Sequence, residues 1–317
     1  MVKRFSEALS NVSGKVLWSI RFRLLKEPLK YFGQHKISGK RRKTHFVAEI
    51  VQNKETLYFL ILIFAMRFLI LSDIHGNRFG LDKVLSHAAG EYDKILCLGD
   101  VVGYGAHPNE CCQVLRDLDA VSLSGNHDAA ALGLIDISWF NPVAEAAILW
   151  TRQQLSSDNR AWLRSLPAQL DFADDDFQAV HASLREPWEE YILGADIAAP
   201  NFEVQKRPFC LFGHTHQAVV YRTAQTTQAN VSWREIEGAP LTQGGLIELE
   251  DGYKYLLNPG SCGQPRDGNP LARYALFDSS TRQIEVLEAD YDCRAARQAI
   301  LQAGLPRVLG DRLLRGQ

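Results

Sequence analysis

The apolar run Phe68-Leu69-Ile70-Leu71 constrains the fold more than any other stretch of the chain. It reads as a buried parallel strand, and it stops abruptly at Ser72-Asp73-Ile74-His75-Gly76-Asn77. A strand ending in Asp-x-His places two metal-capable side chains at its carboxyl end, where open α/β sheets build their sites. Four more apolar runs end in the same manner. Residues 94–98 lead into Gly99-Asp100, and 121–124 into Gly125-Asn126-His127-Asp128. Residues 178–180 lead into His181, and 209–212 into Gly213-His214-Thr215-His216. Five of the seven histidines after residue 66 lie in these clusters, which random placement would not produce.

The intervening segments alternate with these strands. Helical spacing runs from residue 78 to a cap at Gly90, with His87 on its surface, and from Pro108 to about Leu118. Two more helices cover 142–155 and 159–166. Beyond His216 the pattern changes to strands at 219–221, 245–249, 253–257, 274–277 and 284–287, joined by turns. A final helix over 294–302 closes the chain.

Charge divides the chain in two. Residues 1–65 hold 13 Lys/Arg against 4 Asp/Glu, a net of +9, including the run Lys40-Arg41-Arg42-Lys43. Residues 66–317 hold 22 Lys/Arg against 33 Asp/Glu, a net of -11. The N-terminal segment shows no sustained period and reads as a disordered extension or a misassigned start. Its apolar stretch 57–65 begins too late for a signal peptide. Continued to Leu71, that stretch is cut by Arg67 and falls short of the about 20 apolar residues a membrane span needs. The chain has two methionines, and Met66 stands where a strand-first domain would begin. A basic arm contacting nucleic acid or anionic lipid is the alternative. Six cysteines with no CxxC spacing imply a reducing compartment, the cytoplasm, and Cys111-Cys112 reads as packing. The acidic body lacks the basic track of a nuclease, so no stable nucleic-acid partner and no membrane association are expected.

Asp, Asn and His donors without thiolate suit divalent first-row metals, Mn first and Fe, Zn or Ni as alternatives. Two carboxylates, one carboxamide and four imidazoles besides His127 are too many for one open site and the right number for two metals sharing a carboxylate.

In this order, the five clusters resemble the motif set of the calcineurin-like metallophosphoesterases, with the closest likeness to the small bacterial YfcE-type branch. The resemblance covers residues 67 to about 290 and makes 66–317 one metallophosphoesterase domain. It implies a four-layer α/β/β/α sandwich of two mixed β-sheets flanked by helices. One sheet would be mostly parallel and carry the ligands at its edge; the other would be mostly antiparallel and come from the C-terminal half. It implies that Asp73, His75 and His216 hold one metal, that Asn126, His181 and His214 hold the second, and that Asp100 bridges them. His127 would be the general acid, with Asp128 orienting its ring. Asn77 and Arg266 are the candidate substrate contacts, Arg266 in the turn Asn258-Pro259-Gly260-Ser261-Cys262-Gly263-Gln264-Pro265-Arg266. The reaction implied is hydrolysis of a small phosphate ester by attack of metal-bound hydroxide. Protein phosphatases of the superfamily carry Gly-Asp-x-x-Asp-Arg; here Gly99-Asp100 continues as Val101-Val102-Gly103-Tyr104, with no arginine. A phosphodiesterase is therefore preferred to a phosphomonoesterase or Ser/Thr protein phosphatase. The reading from another class is a metal-free interaction scaffold, although here every ligand position is filled.

Overall fold

The computed structural model of the chain describes residues 66–225 and 231–317. The basic segment 1–65 and the expectations attached to it lie outside the described residues. Along the body come β1 (Arg67–Leu71), α1 (Arg78–His87), β2 (Lys94–Cys97), α2 (Pro108–Asp117), β3 (Val121–Ser122) and α3 (Asn126–Ala131). Then follow α4 (Pro142–Gln154), α5 (Ser157–Arg164), β4 (Gln169–Phe172), β5 (Phe177–Val180), α6 (Ala195–Val204) and β6 (Phe209–Leu211). The last part holds β7 (Ala218–Ala224), β8 (Glu237–Pro240), β9 (Gly245–Glu248), β10 (Tyr253–Pro259), β11 (Ala272–Asp278) and β12 (Gln283–Ala289). Helices α7 (Cys293–Gln302) and α8 (Arg307–Leu313) end it.

Alternation along β1 sets the layers, because successive strand residues face opposite sides. Leu69 and Leu71 pack into a core with Leu81 and Val84 of α1, Leu115 of α2 and Ile148 of α4. Phe68 faces the other way, its ring 5.4 Å from Phe177 of β5. Phe177 in turn meets Phe277 of β11 at 5.3 Å, so aromatic side chains fill the space between two sheets. On the far side of the second sheet, Cys210, Phe212 and Leu256 pack with Ala198 and Phe202 of α6. The result is the four-layer α/β/β/α sandwich.

The first sheet runs β3-β2-β1-β11-β12-β9 and the second β4-β5-β6-β10-β7-β8. The expected division into a mostly parallel and a mostly antiparallel sheet is corrected here. Each sheet is mixed, with β1, β2 and β3 parallel in one and β5, β6 and β10 parallel in the other. The reason is that the C-terminal strands do not form a sheet of their own. β11 lies antiparallel on the free edge of β1, and β10 lies on the free edge of β6.

Several elements were not anticipated. β4 is an edge strand with alternating half-burial, and α6 carries an internal proline, Pro200. β8 is exposed along its length, and α3 is a six-residue helix. α8 follows α7, so the helix over 294–302 does not close the chain. α1 ends at a cap on Ala88 rather than at Gly90. All six cysteines are unpaired, and burial raises the Cys111 and Cys112 thiols well above their usual range, which fits packing.

Candidate metal centre

Register brings the strand ends together. Leu71 pairs with Cys97 and Cys97 with Ser122, so β1, β2 and β3 finish side by side. Ala179 pairs with Leu211 in the facing sheet, so β5 and β6 do the same. The chain then turns sharply. Nine non-glycine residues among those described adopt positive φ, and Asp73, His75, Asp100, His214 and His216 are five of them. Strained backbone concentrated on chemically active side chains is the mark of a site that the surrounding fold holds in place.

The clearance around these turns is small. Gly99, at φ +102°, lies against Gly125 and the His181 ring, and a Cβ on Gly125 would overlap the Asp100 carboxylate. The turn 258–266 ties the two sheets' loops together. Ser261 Oγ donates to the Asp73 carbonyl at 2.8 Å, Gly263 N to the same carbonyl at 3.1 Å, and Asn258 Nδ2 to the Gly213 carbonyl at 2.6 Å.

Two groups of possible ligands result. Asp73, His75, Asp100 and His216 bring donor atoms within 4.8 Å of one another, and so do Asp100, His181 and His214. Asp100 belongs to both. Asn126 joins the second group, its Oδ1 3.1 Å from His181 Nε2. All of these side chains are buried.

The donor chemistry fits a cation. His75 Nδ1 lies 3.2 Å from the Val102 carbonyl, His216 Nδ1 2.5 Å from the Gln264 carbonyl, and His181 Nδ1 2.9 Å from the Leu98 carbonyl. A carbonyl only accepts, so each Nδ1 carries the hydrogen, and the neutral rings of His75 and His216 turn a bare Nε2 lone pair inward. His75 Nε2 and His216 Nε2 are 3.0 Å apart, and Asp73 Oδ1 is 3.4 Å from His216 Nε2. Lone pairs and a carboxylate at these distances repel unless positive charge lies among them.

Burial disfavours charge throughout the centre. It drives His75 and His216 well below the usual histidine range, His214 to about 3 and His127 to about 4. It raises Asp73 to about 6. Burial opposes charge on Asp100 and His181 as well, yet each sustains the other's. Asp100 stays well below the carboxylate range, and His181 rises to about 9.

The model of the calcineurin-like phosphoesterase superfamily domain matches residues 66–282. The chain belongs to this superfamily. The phosphoesterase is 37% identical over 253 residues to the uncharacterized protein MJ0912 of Methanocaldococcus jannaschii, covering 78% of this chain and 97% of that one. It is 38% identical to a metallophosphoesterase from Sphaerobacter thermophilus of known structure, with a TM-score of 0.70, over 80% of this chain and all of that one. A bis(5'-nucleosyl)-tetraphosphatase of Haemophilus ducreyi is 26% identical over 125 residues, 38% of this chain and 46% of that one.

Four expected site residues need separate treatment. His127 is in the centre, its ring 4.8 Å from His75, 4.3 Å from Tyr104 and 5.3 Å from Phe140, and its Nδ1 has no partner. The Asp128 carboxylate, expected on that ring, is bonded to backbone amides and not to the unpartnered Nδ1. It accepts from Val101 N at 3.2 Å, Val102 N at 3.0 Å and Gly125 N at 3.0 Å, because Asp128 stands at the third position of α3 facing those amides. Asn77, expected at the substrate, is engaged within the fold. Its Oδ1 caps α1 through Gly80 N at 3.2 Å and its Nδ2 donates to the Gly263 carbonyl at 2.8 Å, so both ends of the amide are used. Arg266 does approach the centre, with its guanidinium 5.9 Å from the Tyr104 ring centroid.

The sequence reading passed over Tyr104, Tyr191 and Gln264. Tyr104 sits between two glycines at φ +58°, a pattern that flags a constrained residue. Gln264 lies within the turn already singled out. Tyr191, whose ring lies 3.9 Å from that of His214, comes from a loop with no distinguishing signal.

Proposed function

We propose that the protein is a dinuclear metal-dependent phosphodiesterase acting on small phosphate esters. The sharing of Asp100 between two ligand groups is the observation that carries this reading. Asp73, His75 and His216 would hold one metal, Asn126, His181 and His214 the other, and Asp100 both. A carboxylate is needed between two cations, while the neutral oxygen of Asn126 limits the charge at the second. Divalent ions there, Mn before Fe, Zn or Ni, would polarise a phosphoryl oxygen and lower the pKa of a water.

The chain's own residues do the rest. Backbone carbonyls on three Nδ1 atoms hold the ligand rings in one tautomer and one orientation. His127 lies beside the centre and, protonated once the negative charge of the bound phosphate ester offsets its burial, passes a proton to the departing oxygen. Arg266 takes up negative charge on the phosphoryl group. Asp128 acts through the backbone, holding the Asp100 turn against α3. The relative described as a bis(5'-nucleosyl)-tetraphosphatase supports a nucleotide-like substrate. Six unpaired thiols support a reducing compartment, the cytoplasm. No helix among the described residues is long and apolar enough to cross a membrane.

The test is Asp100→Asn, assayed with Mn(II) on bis(p-nitrophenyl) phosphate and by elemental analysis. The wild type should bind two metals and turn over. The variant should lose metal and activity together, and two metals retained in it would overturn the bridging role.

A further inference from the structure

We propose that Arg312 of α8 joins Arg266 to form a second anion subsite beside the metal centre, so that the substrate is a phosphate ester carrying a second phosphate group. This rests on the phosphoesterase reading above and extends it to the substrate.

The two guanidinium groups converge on one acceptor. Gln264 Oε1 accepts from Arg266 Nη2 at 2.9 Å and from Arg312 Nη1 at 3.4 Å. Among the described residues neither arginine has an ion-pair partner, and the Nε of each is buried without a hydrogen bond. Burial and the charge of Arg266 together hold Arg312 below the usual arginine range. Two like charges brought together, partly desolvated and unpaired, are costly unless a ligand supplies the missing acceptor.

The fold denies them the carboxylates closest in sequence. Asp267, next to Arg266, is taken by the fully buried Arg273 at 2.5 Å. Asp311, next to Arg312, is taken by Arg297 at 2.6 Å and Arg307 at 3.2 Å. Other arginines of the body are matched in the same way, Arg207 with Asp171 and Arg222 with Glu237 and Glu250.

Position links the pair to the reaction. Arg266 lies over Tyr104, whose ring is 4.7 Å from His75 and 4.3 Å from His127. Gln264 gathers the arginines with its side chain and holds the His216 ring with its carbonyl. Arg312 stands one side chain farther out, on a helix anchored by buried Leu309 and Leu313. The C-terminal end is tied back to the Arg266 loop, where Gly268 N donates to the Gly316 carbonyl at 2.9 Å. Arg266 can therefore meet the phosphoryl group under attack while Arg312 meets its neighbour, with bidentate guanidinium contacts suited to phosphate. α8 lies outside residues 66–282 matched by the superfamily model.

The test uses the full-length protein at fixed free Mn(II), with Arg312→Gln and Arg312→Lys. The substrates are bis(p-nitrophenyl) phosphate, with one phosphate, and bis(5'-adenosyl) tetraphosphate. Arg312→Gln should raise KM for the tetraphosphate about 10–100-fold, the value of a charged hydrogen bond. kcat, metal content and the one-phosphate ester should stay unchanged, and Arg312→Lys, which keeps the charge but loses the planar fork, should recover only part of the loss. Equal effects on both substrates, or none on either, would overturn the subsite. Calorimetry with inorganic pyrophosphate and orthophosphate supplies a readout independent of turnover. Wild-type protein should prefer pyrophosphate, and Arg312→Gln should lose that preference. If Arg312→Gln does not fold, equal wild-type affinity for the two ions would itself refute the proposal. A pyrophosphate preference in a protein that hydrolyses neither ester would leave the subsite standing and remove the phosphodiesterase reading. Turnover of the one-phosphate ester without that preference would do the reverse.

Discussion

His127 stands apart from the other histidines of the centre because no backbone carbonyl holds its Nδ1, which packs against Gly103 instead. The ring packs against those of His75, Tyr104 and Phe140, with Asp100 the anion acting on it, and this arrangement fits service to substrate rather than to metal. Nitrophenolate departs without a proton, whereas an alkoxide or ribose oxygen does not. His127→Ala should keep both metals and lose roughly 10²–10⁴-fold on an alkyl or nucleoside ester, with a much smaller loss on a nitrophenyl ester. Equal losses on the two would assign the ring to charge stabilisation. Asp128 makes a different prediction. Its carboxylate collects three backbone N–H bonds at the base of the Asp100 turn. Asp128→Asn replaces one accepting oxygen by a donor facing an N–H, at a cost of about 1–3 kcal/mol. Thermal unfolding should register that cost, and metal should remain bound while rate falls. An unchanged melting temperature would mean that these bonds do not brace the turn.

At the level of elements, the centre depends on how closely strand ends approach one another. β2 and β3 are followed by the turn glycines Gly99 and Gly125, and Gly125 lets the start of α3 lie directly on Asp100, whose Oδ1 accepts from His127 N at 2.8 Å. Gly125→Ala should separate the two turns and lower metal occupancy and activity more than it lowers the melting temperature. The check is elemental analysis beside calorimetric unfolding; full occupancy would show that the turns can yield. The same element logic explains why the sheets were misassigned. Parallel pairing among β1, β2 and β3 is legible from helices between apolar runs. The partner of a C-terminal strand is not, since β11 adds to the edge of β1 at the far end of the body and β10 to the edge of β6 rather than to its neighbours in sequence.

For the whole molecule, charge and superfamily match agree on one boundary. The match begins at residue 66, where the net charge changes sign, and β1 begins at Arg67. Residues 66–317 expressed alone should fold cooperatively and keep metal-dependent activity equal to that of the full chain. Circular dichroism melts and Mn-dependent turnover would measure this, and aggregation of the shorter chain beside an active full chain would refute it.

The sequence alone determined the strand-end clusters, and with them Asp73, His75, Asp100, Asn126, His127, His181, His214 and His216. Apolar runs and chemically committed side chains are local facts, and a parallel sheet places strand ends on one edge whatever its detailed order. Tertiary structure decided the rest. Asp128 and Asn77 look like active-site residues in the chain, but the amides that surround them are set by turns from elsewhere. Arg312 carried no signal at all. Its meaning comes from which carboxylates are already taken, and that matching is settled only when α8, the 258–266 turn and Arg273 are packed together.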